Sequence, residues 1–246
     1  MYKADRERMF GHWEWVVESP DLDDDNYLGV HQQRETYNAT PARAPLLDLN
    51  LQCLELLVES ARRSLAAAGG NSSVTQPLLA AWVAAPRVAL ERIAAAPFAL
   101  VDSGIAEAQR WVDGSVGGVR DAVHERRAIG DAASFEAAAG TALLRRVLIY
   151  GWHLARSRPR AARLILGAEP AAVAMLASCS LATLDAVAEV RGPELHLHWH
   201  DQPDYWLRVL SAASAVGNAP RLADLLLVGV RRLVGQGVGM RPRGLR

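Results

Sequence analysis

Residues 143–206 read LLRRVLIYGWHLARSRPRAARLILGAEPAAVAMLASCSLATLDAVAEVRGPELHLHWHDQPDYW, and this stretch carries the strongest helical periodicity in the chain. From Leu143 to Ala155, apolar residues recur at three- and four-residue steps, the pattern of a helix with a wide apolar stripe. We predict that this helix ends near Ser157, because Pro159 disfavours helical geometry in Arg158 and fits the first turn of a new helix.

Proline and glycine residues mark three further helices in the same stretch. One is predicted from Pro159 to Leu166, with Gly167 as its stop, another from Pro170 to a break near Ser180, and a last one up to Gly192. After that point, apolar residues alternate with three histidines. A period of two suits a short strand or an extended loop.

An earlier part of the chain repeats this pattern, displaced by about 95 residues. The matched pairs are Leu90 with Leu184, Ile93 with Val187, Ala94 with Ala188, Pro97 with Pro193, and Trp111 with Trp206. Tandem duplication explains the match, and so does chance resemblance between leucine- and alanine-rich helices. A duplicated fold would bury its paired faces as a pseudo-dimer.

The sequence therefore predicts an all-α protein of two tandem helical modules, each with at most a short extended segment. With 246 residues and 50% hydrophobic content, the chain can bury a core of that size. The predicted organisation is an irregular leader (1–43), helical module 1 (44–112), a linker (113–140), helical module 2 (141–234) and a disordered tail (235–246).

Composition limits the partners and the compartment. The net charge is zero, so no global field recruits nucleic acid or acidic lipid, and any such contact must come from a local patch. The only two cysteines, Cys53 and Cys179, lie in apolar helical patterns, which favours free buried thiols in a reducing compartment. We find no secretory signal and no apolar run of membrane-spanning length, and expect a cytoplasmic protein without membrane contact.

Six arginines lie near the first helix junction of the opening stretch, four of them at the junction and two of them two to three helical turns before it. They are Arg145, Arg146, Arg156, Arg158, Arg160 and Arg163. Because a guanidinium donates paired hydrogen bonds to carboxylate or phosphate groups, one interpretation is a contact surface for an acidic partner or for phosphate. The other is an ordinary solvated helix face, and the sequence leaves both open.

Three histidines, His196, His198 and His200, alternate along the segment after the last of these helices. On a strand, their imidazoles would point to one face and could surround a single zinc ion. The alternative is a polar face that tunes partner contact near neutral pH. We expect no cofactor unless these histidines bind zinc.

Motifs for catalysis are missing from the sequence. It contains no glycine-rich phosphate loop, no nucleophile elbow, no His-Glu-x-x-His and no Cys-x-x-Cys. No helix-turn-helix with a readable recognition helix stands out either. We expect a non-enzymatic protein.

Nine residues of the 166–199 segment share one register without a gap: Leu166, Gly167, Leu176, Ala177, Ser180, Leu181, Ala188, Glu189 and His196. In this register the segment resembles the central part of FlhD, a family of flagellar transcriptional regulators. The resemblance implies a mostly helical dimerising module that joins a zinc-bearing partner, FlhC, to activate flagellar promoters. Leu195 stands where the family has a cysteine, so the family's intersubunit disulfide is not expected here.

The first functional hypothesis is a bacterial cytoplasmic regulatory protein, FlhD-like, that acts through protein–protein contacts in transcriptional control. It would have a protein partner, could self-associate, and would reach DNA only through that partner or through the arginines. One alternative is an accessory adaptor of a type III secretion apparatus, since such adaptors are similar small leucine-rich helical proteins. Another is a metal-dependent hydrolase at His196, His198 and His200.

Overall fold

Nine α-helices and no β-strand are found in residues 40–67, 76–105 and 135–237, the part of the chain described by this computed structural model. The all-α prediction is confirmed. The helices are α1 (Thr40–Ala67), α2 (Gln76–Ala84), α3 (Arg87–Ala94), α4 (Ala137–Ser157), α5 (Pro159–Leu166), α6 (Pro170–Ser178), α7 (Leu181–Arg191), α8 (Pro203–Ser214) and α9 (Ala219–Gly237). A short 3-10 helix, Gly192–Glu194, follows α7.

The predicted helix boundaries between Leu143 and Gly192 are confirmed. Arg158 leaves the helical conformation at φ −146°, and Pro159 then occupies the first turn of α5. Gly167 ends α5 in the left-handed conformation, at φ 63°, which glycine adopts without a steric penalty. Ser180 caps α7 by accepting a hydrogen bond from the Thr183 N–H.

Three helices cross a predicted segment boundary by a few residues. Helix α1 begins at Thr40 and contains Pro45, so it starts inside the predicted leader. A proline near a helix start removes only one backbone hydrogen bond, and the buried apolar residues that follow hold the helix in place. Helix α4 includes the last four residues of the predicted linker, 137–140, and α9 extends into the predicted tail as far as Gly237. The rest of the leader, most of the linker, Trp111 and the end of the tail lie outside the described residues.

The long helices α1 and α4 form the centre of the fold and pack against each other. They run antiparallel, because Gln52 contacts Arg146 while Arg63, further along α1, contacts Glu136 just before α4. Helices α2 and α3 pack on α1, helices α5, α6 and α7 pack on α4, and α8 covers α2 and α3. All described residues belong to one compact unit, Ala39–Arg246.

Two short extended segments, distant in the sequence, pair through their backbones. Val101 and Leu197 form an antiparallel bridge. The Asp102 N–H donates to the His196 carbonyl at 3.0 Å, and the His198 N–H donates to the Leu100 carbonyl at 2.9 Å. Each predicted module therefore contributes one short extended segment to this bridge.

Aromatic rings from distant parts of the sequence fill the core beside this bridge. Trp82 of α2 packs on Trp206 of α8 with ring centroids 5.7 Å apart, and Phe98 meets Trp199 edge-on at 5.7 Å. Rings in such tilted and edge-on arrangements attract one another beyond the effect of their burial.

No single helix among the described residues is long and apolar enough to cross a membrane. Helices α5 and α6 meet that length and composition only when taken together, and they are bent by 113°.

We expect Asn50→Ala to lower the free energy of unfolding by about 3 kcal/mol, because it leaves buried backbone groups without partners. The Asn50 side chain is 2% exposed. It donates to the carbonyls of Ala94 and Phe98, at 3.2 and 2.9 Å, and accepts from the Leu100 N–H at 3.0 Å. Urea unfolding measures the change.

The matched control is Asp48→Ala, an exposed position on the same helix. It should change the free energy of unfolding by less than about 0.5 kcal/mol. Equal urea midpoints for the two variants would contradict the role given to Asn50.

Candidate functional site

Two of the six predicted contact arginines are engaged within the fold. Arg145 donates to the carboxylates of Asp185 and Glu189 on α7, at 2.8 and 2.6 Å, and these hydrogen bonds raise the pKa of its guanidinium. Arg146 donates to the Gln52 side-chain oxygen at 2.9 Å, across the contact between α4 and α1. Both arginines therefore link helices within the protein.

The other four lie together around the junction of α4 and α5, and we call them the arginine face: Arg156, Arg158, Arg160 and Arg163. All four side chains are exposed. Arg156 stacks over the ring of Trp152 at 4.6 Å. Within residues 40–67, 76–105 and 135–237, no hydrogen bond, ion pair or ring contact engages the side chains of Arg158, Arg160 and Arg163.

Helix α5 holds this face in place with few buried residues. Only Ala162 and Leu166 of its eight residues are buried. Gly167 lies so close to the Leu233 side chain of α9 that an added Cβ would crowd it. The two buried residues fix the orientation of α5 against the core. The arginine side chains of α5 therefore lie on the side of the helix that faces solvent.

A cavity of about 230 Å³ lies beside the arginine face, where α4, α5 and α6 meet. Ala155 and Val173, which are 5% and 2% exposed, line it with apolar surface. Pro159 and Pro170 also line it, and Arg160 and Arg163 contribute the charged part of the lining. The cavity thus combines apolar walls with two guanidinium groups.

A larger groove, of about 610 Å³, runs between α1 and α4. Its charged side chains are mostly engaged already, since Arg146 bonds to Gln52 and Glu55 pairs with Arg87. It therefore offers fewer free charged groups to a ligand than the smaller cavity does.

Of the two predicted forms of the histidine segment, a short strand or an extended loop, the structure shows a loop, and the three imidazoles do not share a strand face. The extended conformation ends at Leu197, and residues 198–201 form a turn in which the His200 N–H donates to the Leu197 carbonyl. Trp199 adopts φ 54°, the only positive φ among the described non-glycine residues, and its buried indole N–H has no hydrogen-bond partner there. A strand cannot continue through this backbone conformation.

The turn separates the three histidines by environment. His196 and His200 meet edge-on with ring centroids 4.0 Å apart, and both are partly exposed. His198 is buried, at 9% exposure, and lies against the Trp199 ring. Among the described residues, no group of three His, Cys, Asp or Glu side chains is placed to hold a metal ion.

Asp102 joins these histidines, and the sequence reading missed it. Its carboxylate lies 3.7 Å from His196 Nε2 and accepts a hydrogen bond from the Gly104 N–H. Only its place beside Val101 in the bridge brings it there, so no local motif could have identified it. We call Asp102, His196, His198 and His200 the histidine cluster.

The histidine cluster is electrostatically coupled. Burial lowers the pKa of His198, and the nearby Asp102 carboxylate offsets part of that effect. Burial also lowers the pKa of His200, helped by the neighbouring His196. For Asp102, burial acts to raise the pKa, but His198, His196, the Gly104 N–H and Arg191 together lower it.

Comparison with known proteins found no matching family model, no matching curated protein and no matching solved structure. The resemblance of residues 166–199 to FlhD stays a prediction.

We expect acidification to destabilise the protein in two stages. The pKa values of His198 and His200 are lowered in the folded state. As the pH falls, these two histidines are therefore protonated in the unfolded chain before they are protonated in the folded protein. Stability present above pH of about 6.5 is therefore lost as the pH falls toward the folded-state values. Asp102 adds a second loss below its ordinary value of 3.8, as its own lowered pKa is reached.

In the first stage, His198→Asn should reduce the slope of the free energy of unfolding against pH. The reduction should be at most about 1.4 kcal/mol per pH unit, the limit for one proton. Urea unfolding between pH 5 and 8, run at constant ionic strength, gives the slope. His153→Asn, which removes an exposed histidine of α4, is the control and should keep the wild-type slope. An unchanged slope in His198→Asn would exclude His198 as its source.

Proposed function

We propose that this chain is a non-enzymatic interaction protein that binds an acidic protein partner through its arginine face. The observation that carries the proposal is the set of three exposed arginines, Arg158, Arg160 and Arg163, whose side chains make no contact within the described residues. Arg145 and Arg146, close by along the chain, are satisfied internally. Arg221 and Arg231 of α9 are likewise exposed and without a contact among the described residues, but only the arginine face places three such guanidinium groups within six residues of the chain.

An acidic protein suits this surface better than a general polyanion does. The whole chain has no net charge, so no long-range field would draw in nucleic acid. Arginine forms paired hydrogen bonds with carboxylates, which reward a partner that presents them at fixed positions. A protein partner meets that requirement.

The regulatory setting of this interaction is part of the proposal. The FlhD-like register of residues 166–199 includes α6 and α7, which pack on the helix that carries Arg156. We propose a bacterial cytoplasmic regulator in transcriptional control, which would reach promoter DNA through its partner. Recovery of secretion components as partners would instead favour the adaptor of a type III apparatus.

We also propose that the two modules arose by tandem duplication. Helices α2 and α6 each span nine residues, and a two-residue break separates each from the next helix. Their buried positions recur at one constant offset: Leu78, Leu79 and Trp82 of α2 correspond to Ala172, Val173 and Leu176 of α6.

The bridge supports the same proposal. The N–H after each bridge residue donates to the carbonyl before the other, so the pairing at Val101 and Leu197 has local two-fold symmetry. Helices α1 and α4 also pack antiparallel, as two equivalent helices next to a two-fold axis would. Equivalent elements that meet across a two-fold axis are the expected remnant of a fused dimer.

The duplication predicts that, in an experimentally determined structure, α1, α2 and α3 superpose on α4, α6 and α7 after a rotation of about 180°. Backbone superposition measures the angle. A rotation far from two-fold, or superposition of only one helix pair, would favour chance resemblance.

For the arginine face, we expect the double variant Arg160→Ala/Arg163→Ala to lose the partner that the wild-type chain captures from native lysate. Each lost paired contact to a carboxylate weakens binding, and the two together should reduce recovery by at least about tenfold. Tagged full-length protein, quantitative mass spectrometry and a nucleic-acid assay of the eluate provide the measurement.

Arg62→Ala/Arg63→Ala is the matched control, with the same change in charge. These exposed arginines lie near the start of α4, where Arg63 pairs with Glu136, about 30 Å along the helix from the arginine face. The control should capture the partner as the wild type does. Equal loss in both variants, or an eluate that holds nucleic acid without protein, would overturn the proposal.

A further inference from the structure

We propose that the cavity between α4, α5 and α6 binds an acidic segment of a partner protein, with one aliphatic side chain inserted between Ala155 and Val173 and carboxylates on Arg160 and Arg163. This inference rests on the proposed function and names the chemistry of the partner. All the residues that line this cavity belong to the part of the chain that the structure describes.

The size of the cavity indicates a single side chain as its occupant. Small-molecule sites usually enclose about 300 to 1,000 Å³, and this cavity, at about 230 Å³, is smaller. Protein interfaces, by contrast, commonly insert one anchoring side chain into a pocket of the partner. Apolar lining from Ala155 and Val173 selects an aliphatic anchor.

Charge complementarity indicates the residues around that anchor. Between Arg156 and Ser178 the chain carries four arginines and one acidic residue, Glu169. Arg160 and Arg163 are three positions apart on α5, so their side chains lie on one side of the helix and both reach the cavity lining. An aliphatic residue flanked by aspartate or glutamate would satisfy the guanidinium groups and the apolar wall together.

The walls of the cavity are formed before any partner arrives. Pro159 and Pro170 line it at the first turns of α5 and α6, where their φ angles are fixed. Ala162 and Leu166 anchor α5 in the core below. A site with rigid walls loses little conformational entropy on binding, which favours recognition of a short segment.

Leu164 extends the apolar surface of the same helix. Its side chain is 52% exposed, although leucine is usually among the buried residues. An exposed leucine alone needs no explanation, but this one lies four positions after Arg160, on the same side of the helix as that cavity-lining residue. We include it as a rim contact for the same partner segment.

Fluorescence anisotropy of the full-length chain with labelled synthetic peptides tests the proposal. The probe is Gly-Asp-Asp-Leu-Asp-Asp-Gly, and its comparison peptides replace the leucine by serine or every aspartate by lysine. We expect the probe to bind, the serine peptide to bind at least about tenfold more weakly, and the lysine peptide not to bind.

Ala174→Phe separates the cavity from the arginine face. Ala174 is exposed on α6 and lines the cavity, so phenylalanine there should fill it while every arginine is kept. Ala171→Phe, at an exposed position on the same helix outside the lining, is the matched control. We expect at least about tenfold weaker peptide binding for Ala174→Phe and wild-type binding for Ala171→Phe.

The outcomes distinguish this inference from the proposed function. If Ala174→Phe still binds the peptide and captures the native partner while Arg160→Ala/Arg163→Ala does not, the face is used and the cavity assignment is wrong. Failure of the leucine peptide to bind at about 1 mM also overturns the cavity assignment. A DNA duplex that binds more tightly than the peptide, and that Ala174→Phe does not block, overturns both.

Discussion

The side-chain amide of Asn50 is the contact on which the pairing of the segments around Val101 and Leu197 depends. The chain from Ala95 to Ile105 leaves helical structure inside the core, where its backbone polar groups still need hydrogen bonds. An amide side chain offers both donors and an acceptor, and Asn50 uses them on Ala94, Phe98 and Leu100. This fixes the segment in the extended form that Val101 needs in order to pair with Leu197.

That pairing also explains where the ionisable residues lie. Asp102 follows Val101 and His196 precedes Leu197, so the antiparallel bridge brings the carboxylate to 3.7 Å from the imidazole. The same segment turns immediately after the bridge, at Trp199. The bridge thus creates the contact of Asp102 with His196, and the backbone conformation of Trp199 prevents the regular alternation that a three-histidine face requires.

How far the sequence predicts the structure depends on whether the signal is local. Helix ends at Ser157, Gly167 and Gly192 follow from proline and glycine geometry, which acts within a turn of the chain. Pro45 misled the same reasoning, because tertiary burial along α1 outweighs one missing hydrogen bond. The all-α class follows from the apolar periodicity of whole helices. One misplaced helix boundary does not change that periodicity.

The candidate site was predictable only in part, because its properties come from contacts between distant residues. Arg145 and Arg163 look alike in sequence, each on an amphipathic helix. They differ because α7 places Asp185 and Glu189 beside Arg145, whereas no described acidic side chain meets Arg163. Asn50 is one polar residue in an apolar helix, and Asp102 is one carboxylate in an extended segment. Neither carries a motif, since their roles arise only on folding.

The neutrality of the chain limits how the arginine face can work. Ions screen charges beyond about 8 Å at physiological ionic strength, so four arginines on an otherwise balanced surface act only at close range. A partner would have to be recognised by contact geometry, since no extended field steers it from a distance. This favours a site in which charges surround an apolar cavity, because burial of an aliphatic group supplies affinity that salt does not screen. The cavity beside α5 combines those two properties.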